Sequence, residues 1–314
     1  MEKRNFLKNM VGAAALMAAL TTGTPLAAAP LSSGPDASTV ATQFVNVNGK
    51  KFAYRRFGKK SAYPLVFTNY LTGSMDNWDP AVINELAKDR EVILFDNAGV
   101  AASEGQTPDN IAAMAKDAAA FIHALGLKKT DLFGFSIGGM VAQQLTIDEP
   151  GLIHRLILVG TGPRGGEGMQ DYTPEVWALF SKKYEHADEL LLETFFTPSP
   201  ASQKAGREYL SRIRARVNKD KTLSDKVVPA QLAAIFGWGK MPSGNFEYLK
   251  AITQPVLVIH GDKDIICPTV NAFTLKQHLP NAQLIIYPDT NHSPQNQMPN
   301  LFVRQVNLFL AGVQ

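Results

Sequence analysis

One stretch of the sequence decides the fold of this chain: GFSIGG, residues 134–139. It follows a short apolar run, 131–135, and precedes a helical pattern, 140–147. Between a strand and a helix, G-x-S-x-G forms a turn so sharp that glycines are needed where the two backbones nearly touch, and the serine side chain projects from the edge of the sheet. The pattern therefore predicts Ser136 as a nucleophile. The alternative interpretation is a plain glycine-rich turn.

The composition is that of an ordinary globular protein. With 314 residues, 45% hydrophobic and 19% charged, the chain can bury one large core or a core with an inserted subdomain. Its formal net charge of +3 does not favour a nucleic acid partner. Cys267 is the single cysteine, which excludes an internal disulfide framework and a multi-cysteine metal site. We interpret it as a small buried residue, with a reactive thiol as the alternative.

The amino terminus has the pattern of an export signal. Residues 1–29 combine a basic start at Lys3-Arg4, an apolar run over 10–20 and three alanines at the end. The start is similar to a twin-arginine signal with lysine in the first basic position, and a general secretory signal is the alternative. We therefore expect a periplasmic or secreted protein. The apolar run is shorter than the roughly twenty residues that a membrane span needs, so no stable span is expected after signal removal.

The rest of the chain divides into a linker, a body and an inserted segment. Residues 30–41 are interpreted as a linker, 42–163 and 251–314 as the body, and 164–250 as a helical cap. In the body, apolar runs alternate with helical periodicity, which predicts an α/β fold with a mostly parallel central sheet and helices on both faces. The predicted strands are 42–47, 51–56, 64–68, 91–95, 130–135, 155–160, 255–260 and 283–287. The predicted helices are 80–87, 110–125, 140–147, 269–278 and 297–310.

The predicted cap is rich in aromatic residues that could cover an apolar pocket. Among them we select Trp177 and Trp238 as candidate substrate-binding residues. The alternative is that the cap aromatics pack against the body. At the entrance of the cap, residues 160–165 match G-x-G-x-x-G, but Pro163 and the glycines that follow do not open a helix, so a dinucleotide site is not predicted.

A nucleophilic serine needs an imidazole to take its proton and a carboxylate to orient that imidazole. His292 lies in a polar loop after the last predicted strand and is the candidate base; the other five histidines, His260 among them, are interpreted as structural. Two carboxylates, Asp262 and Asp264, follow the end of a predicted buried strand, where such folds gather their sites. Either one gives the chain order Ser, Asp, His.

Three motifs together make the chain resemble the α/β-hydrolase superfamily, in particular its capped serine esterase and lactonase-like group, which is related to the cofactor-free haloperoxidases. The motifs are GFSIGG, the segment HGDKD at 260–264 followed by Pro268, and Asn291-His292-Ser293. The resemblance extends from about residue 42 to the end. It implies that Asp264 is the catalytic acid and Asp262 a turn former, that an acyl-enzyme forms, and that no metal or organic cofactor takes part.

The resemblance also implies two backbone amides that bind the oxyanion, those of Ile137 and Leu71. Here the chain departs from its relatives, because Asn69-Tyr70 replaces the usual His-Gly before Leu71. We expect this replacement to crowd the loop and to bring the Tyr70 hydroxyl or the Asn69 amide near the substrate.

The predicted function is that of an exported serine hydrolase that cleaves a small carboxylic ester or lactone, and no nucleic acid is expected as a partner. We call the turn at residues 134–139 the elbow. A serine there argues against dehalogenases and epoxide hydrolases of this fold, which use an aspartate at that position. Two alternatives stay open: a perhydrolase or haloperoxidase-like activity with the same three residues, and a non-catalytic ligand-binding protein on the same scaffold.

Overall fold

The computed structural model describes residues 36–186 and 188–312. The predicted export signal, residues 1–29, lies outside the described residues, as does the first half of the predicted linker. The second half of that linker lies against the folded body, where the backbone N–H of Ala37 donates to Asn84 Oδ1 at 2.8 Å.

The centre of the fold is one eight-stranded sheet. Its strands are, in chain order, β1 (Gln43–Val47), β2 (Lys50–Gly58), β3 (Leu65–Thr68), β4 (Glu91–Phe95), β5 (Thr130–Phe135), β6 (Ile153–Val159), β7 (Val256–Gly261) and β8 (Ala282–Tyr287). They lie in the order β1-β2-β4-β3-β5-β6-β7-β8. The pairs β1–β2 and β2–β4 are antiparallel and all the others are parallel. This sheet confirms the predicted fold class.

Ten helices in the described part of the chain surround the sheet. They are α1 (Pro80–Ala87), α2 (Ile111–Ala124), α3 (Ile137–Asp148), α4 (Pro174–Ser181), α5 (Glu189–Phe195), α6 (Pro200–Arg214), α7 (Val227–Trp238), α8 (Val270–His278), α9 (Pro294–Gln297) and α10 (Pro299–Leu310). The single helix predicted over 297–310 is replaced by α9 and α10, because Pro299 has no N–H to continue the preceding turn. Among residues 36–186 and 188–312, each helix is too short or too polar to cross a membrane.

The strands carry apolar residues on both faces because helices cover both faces. Alternate strand residues point to opposite sides of a sheet. Val66 packs in a core cluster with residues of α2, α3 and α8. Its neighbours Leu65 and Phe67 pack in a second cluster with residues of α1 and α10. The sequences of the central strands are therefore continuous apolar runs, without the alternation of apolar and polar residues seen when one face is exposed.

The chain between β6 and β7, residues 160–255, forms α4 to α7, and its described residues add no strand to the sheet. We call it the insertion. Phe196 and Tyr209 of the insertion are buried in the core cluster that α1 also joins. Arg212 on α6 donates two hydrogen bonds, of 2.8 and 2.7 Å, to Asp79, which caps α1. The insertion is thus packed against the body beside the carboxyl ends of the strands.

Candidate active site

Ser136 occupies the turn between β5 and α3. Its backbone has φ +56° and ψ −123°, a conformation that residues other than glycine rarely adopt. The turn is held in place by the Ser136 N–H, which donates to the Val159 carbonyl at 3.0 Å. The start of α3 lies close to the end of β3: a Cβ atom on Gly138 would be 2.2 Å from the Thr68 carbonyl oxygen. Only glycine at position 138 allows this approach.

A continuous chain of hydrogen bonds leads from Ser136 to Asp264. His292 Nε2 lies 2.9 Å from Ser136 Oγ, and His292 Nδ1 lies 2.8 Å from Asp264 Oδ2. An ionised carboxylate only accepts hydrogen bonds, so the proton of the neutral imidazole is on Nδ1 and Nε2 has a lone pair facing the serine hydroxyl. The structure therefore brings the three residues together in an arrangement that can activate the hydroxyl as a nucleophile.

The Asp264 carboxylate is saturated with hydrogen bonds. Its Oδ1 accepts the backbone N–H groups of Ile266 and Cys267, both at 2.9 Å. Burial by itself raises the pKa of this carboxyl, but the charge of His292 and hydrogen bonds from two histidines hold the pKa of Asp264 well below its usual range. Asp262 has a different position: its Oδ1 accepts the N–H of Thr290 at 3.2 Å, which braces the loop that carries His292.

His260 is the second histidine at this carboxylate, and the sequence interpretation as a merely structural residue missed the contact. It is fully buried, and its Nε2 lies 2.9 Å from Asp264 Oδ2 and 2.8 Å from the Cys267 carbonyl oxygen. Both neighbours are acceptors, so Nε2 carries a proton. The signal in the sequence was the spacing within HGDKD, which puts His260 and Asp264 at the same end of β7.

Two backbone N–H groups beside Ser136 are available to a ligand. Ile137 is the first residue of α3, where N–H groups have no partner within the helix. Within the described residues, neither the Ile137 nor the Leu71 N–H donates a hydrogen bond to another group. The approach of α3 to the end of β3 brings the loop that carries Leu71 next to the elbow, since a Cβ atom on Gly138 would be 2.7 Å from the Asn69 carbonyl oxygen.

The structure corrects the expectation that Tyr70 faces the substrate. Its ring is buried, with centroids 5.2 Å from Phe135 and 5.1 Å from Phe195, in the same core cluster as Tyr209. Burial raises the pKa of Tyr70, so the hydroxyl stays protonated. The ring turns into the core because the apolar pocket formed by α5, α6 and β5 accommodates it. Asn69 is only 1% exposed, and neither atom of its amide group has a hydrogen-bond partner in the described part of the chain.

A small cavity of about 10 Å³ adjoins Ser136. This is about the space of one water molecule. The side chains that line it, apart from the serine, come from α3, the insertion and the loop after β7; they are Met140, Met169, Tyr172, Ile235, Ile266 and Cys267. Cys267 is buried, and burial raises the pKa of its thiol well above the usual value, so the thiol is protonated.

The two candidate tryptophans do not line this cavity. Trp238 is 3% exposed, and its indole N–H donates to the Gly162 carbonyl at 3.2 Å, so it anchors the insertion rather than facing a ligand. Trp177 packs edge-on against the Tyr172 ring at a centroid distance of 5.7 Å and so supports a residue that does line the cavity. Trp238 is buried because its large apolar surface packs in the core cluster. Trp177 is half-buried, and its role as a substrate contact stays a prediction.

No group of three or more His, Cys, Asp or Glu side chains that could hold a metal ion occurs in residues 36–186 and 188–312.

Comparisons with known proteins identify relatives of this chain. A sequence profile described as alpha/beta hydrolase fold matches residues 63–297. A solved structure, an alpha/beta hydrolase fold protein from Chitinophaga pinensis, is 39% identical, with a TM-score of 0.82, over 88% of this chain and 99% of that one. A pimeloyl-[acyl-carrier protein] methyl ester esterase of Nitrosomonas europaea is 32% identical over 54% of this chain and 67% of the relative. A poly(3-hydroxyalkanoate) depolymerase of Ectopseudomonas oleovorans is 30% identical over 74% of this chain and 80% of the relative.

Proposed function

This chain belongs to the alpha/beta hydrolase family, and from that premise we propose that it is a serine hydrolase of carboxylic esters, including the cyclic esters called lactones. The observation that carries the proposal is the hydrogen-bonded sequence of Ser136, His292 and Asp264. Two of its relatives are named for the cleavage of ester bonds, one in a methyl ester and one in a polyester, which supports an ester as the substrate.

In the proposed reaction, Ser136 Oγ attacks the carbonyl carbon of the ester while its proton passes to His292 Nε2. The carbonyl oxygen becomes an oxyanion and accepts hydrogen bonds from the N–H groups of Ile137 and Leu71. When the carbon–oxygen bond to the alcohol breaks, His292 gives its proton to the alcohol oxygen. An acyl group then remains bonded to Ser136.

Water completes the cycle. His292 Nε2 takes a proton from a water molecule, the water oxygen attacks the acyl carbon, and a second oxyanion forms at the same two N–H groups. The bond to Ser136 breaks, and the proton on His292 returns to Oγ. The sum is one ester and one water converted into one acid and one alcohol. Asp264 keeps His292 in the required tautomer and stabilises its charged form.

We further propose that the insertion acts as a cap that opens to admit substrate. The cavity of about 10 Å³ is far smaller than an ester molecule, and three of the side chains that line it, Met169, Tyr172 and Ile235, belong to the insertion. The apolar lining favours an apolar acyl group over a charged one, because no charged side chain there compensates its desolvation.

The test is hydrolysis of p-nitrophenyl acetate, butyrate and octanoate and of an acyl lactone, by the unsubstituted protein and by Ser136→Ala. Ser224→Ala is the matched control, since Ser224 is an exposed serine. The proposal expects turnover that Ser136→Ala abolishes and Ser224→Ala preserves. A fluorophosphonate should label the unsubstituted protein once, on Ser136. Failure of both turnover and labelling would contradict the proposal and favour a ligand-binding protein.

We also propose that residues 1–29 direct export and that the protein is periplasmic or secreted. Amino-terminal sequencing of the protein recovered from the periplasm or medium should begin near Ala29 or Pro30. Replacement of Lys3 and Arg4 by glutamine tests the route: loss of export of an already folded protein favours the twin-arginine pathway. Full-length protein retained inside the cells would contradict export.

A further inference from the structure

The loop that carries Leu71, residues 69–73, is held in a conformation that its own sequence does not favour. We call it the oxyanion loop. Thr72 has φ +66°, in the left-handed region that β-branched residues avoid. The loop closes through a hydrogen bond of 2.9 Å from the Gly73 N–H to the Tyr70 carbonyl. Such strain persists only when surrounding contacts hold the backbone.

The first of these contacts comes from α7 of the insertion. Gln231 Oε1 accepts the backbone N–H of Thr72 at 2.8 Å. Gln231 is 1% exposed and Thr72 is half-buried, so this hydrogen bond is partly shielded from water, and its loss would leave the Thr72 N–H without this partner. Thr72 directly follows Leu71, whose own N–H is unoccupied. A change of the backbone at Thr72 therefore reorients the peptide next to the Leu71 donor.

The second contact comes from α6 of the insertion. The Tyr209 hydroxyl donates to the Asn77 carbonyl at 3.0 Å, and the Tyr70 ring is buried in the same core cluster as Tyr209. Tyr209 is fully buried. Tyr70 belongs to the oxyanion loop and its ring contacts Phe195 of the insertion, so the loop has a side chain that the insertion can hold. Two helices of the insertion thus fix the oxyanion loop on either side of Leu71.

We propose that Gln231 on α7, assisted by Tyr209 on α6, is a positioning residue that aligns the Leu71 N–H for transition-state stabilisation, so that the insertion completes the oxyanion hole. This inference rests on the proposed ester hydrolysis, in which Leu71 donates to the oxyanion. The Gln231 side chain acts only through the backbone of Thr72. Its removal should therefore affect the reaction rate more than the binding of the ground-state ester.

The test compares Gln231→Met, which keeps the size of the side chain and removes the acceptor, with Gln231→Glu, which keeps an acceptor oxygen. Gln231→Met should lower kcat by at least about tenfold, a part of the effect of losing a whole oxyanion donor, and change KM by less than about threefold. It should weaken the binding of a boronic acid inhibitor, which places an oxygen in the oxyanion hole, by the same factor as kcat. Gln231→Glu should stay within about threefold of the unsubstituted protein in both measurements.

Ala233→Gln, at an exposed position of the same helix, is the control and should leave kcat unchanged. Equal kcat values for Gln231→Met and the unsubstituted protein would overturn the inference. Equal losses in Gln231→Met and Gln231→Glu, parallel to a loss of thermal stability, would also overturn it, because they indicate packing alone. With either of these two results, ester hydrolysis that still depends on Ser136 would continue to support the proposed function. Absence of turnover and labelling in the unsubstituted protein would instead overturn the proposed function and this inference with it.

Discussion

The Nε2 atom of His260 lies 2.9 Å from Oδ2 of Asp264, the same carboxylate oxygen that His292 contacts at 2.8 Å. One carboxylate oxygen thus faces two imidazole nitrogens in a site from which water is largely excluded. Contacts between an ionised acceptor and an N–H donor are stronger than those between neutral groups. His260 therefore helps to fix the carboxylate on which the orientation of His292 depends.

We expect His260→Leu to lower kcat by about tenfold, because it removes a charge-assisted contact to Asp264. The kcat of His260→Gln should be closer to that of the unsubstituted protein, since the glutamine side-chain N–H can reach the position of Nε2. Steady-state kinetics of both variants with one p-nitrophenyl ester measures the difference. If the leucine variant is the more active of the two, then the role of His260 is packing and the prediction is wrong.

The two carboxylates after β7 should differ greatly in their effect on catalysis. Asp264→Asn should reduce kcat by roughly 10³- to 10⁴-fold, because an amide N–H facing His292 Nδ1 favours the wrong tautomer. Asp262→Asn should reduce kcat by less than about tenfold, since an amide oxygen can still accept the Thr290 N–H. Comparable losses of kcat in the two variants would show that the acid has been assigned to the wrong residue.

Asp96, at the end of β4, should make the stability of the fold depend on pH. Burial raises its pKa to about 8, against hydrogen bonds from the N–H groups of Met75 and Ala102, while Asp220 and Asp76 raise it further. A carboxyl whose pKa is raised on folding stabilises the fold below its unfolded pKa, and this contribution is lost as pH rises towards 8.

Urea unfolding at pH 5 and pH 9 tests this dependence. The unsubstituted protein should lose more stability between the two values than Asp96→Asn, by a margin on the order of a few kcal/mol, since one pKa unit corresponds to about 1.4 kcal/mol. The comparison between the two proteins removes the contribution of the other titrating groups. Identical pH dependence in both would show that Asp96 is ionised in the fold at low pH.

Gly138→Ala should disrupt the elbow. The added Cβ would lie 2.2 Å from the Thr68 carbonyl oxygen, so β3 or the start of α3 has to move. We expect a loss of stability of more than about 2 kcal/mol and a large loss of activity. Gly237→Ala is the matched control: a Cβ there meets nothing within 4 Å, and alanine in a helix should stabilise by roughly 0.5–1 kcal/mol. Thermal unfolding of the two variants tests whether Gly138→Ala destabilises the protein and Gly237→Ala stabilises it.

The features that the sequence predicted depend on residues that lie close together in the chain. The elbow needs glycines at fixed offsets from Ser136, and the strands that precede Asp264 and His292 are short apolar runs followed by polar loops. These constraints act over a few residues and leave a readable pattern, which predicts Ser136 and His292. The pattern leaves Asp262 and Asp264 both open, and only the resemblance to the α/β-hydrolase superfamily implies Asp264.

The features that the sequence did not predict depend on distant partners. The direction of Tyr70 is set by Phe195 and Tyr209, more than 120 residues further along the chain. Trp238 was selected because it is aromatic, but the Gly162 carbonyl decides where its indole N–H points. Composition shows that large apolar side chains are present, whereas only the packed structure shows which of them line the cavity beside Ser136.

The most direct test of the central claim is the reaction of the mature protein with a fluorophosphonate, followed by mass spectrometry and by residual p-nitrophenyl ester hydrolysis. We expect one label per chain, located on Ser136, with loss of activity in proportion to labelling, and neither labelling nor activity in Ser136→Ala. Ester hydrolysis that persists in Ser136→Ala, or in protein fully labelled on Ser136, would contradict it.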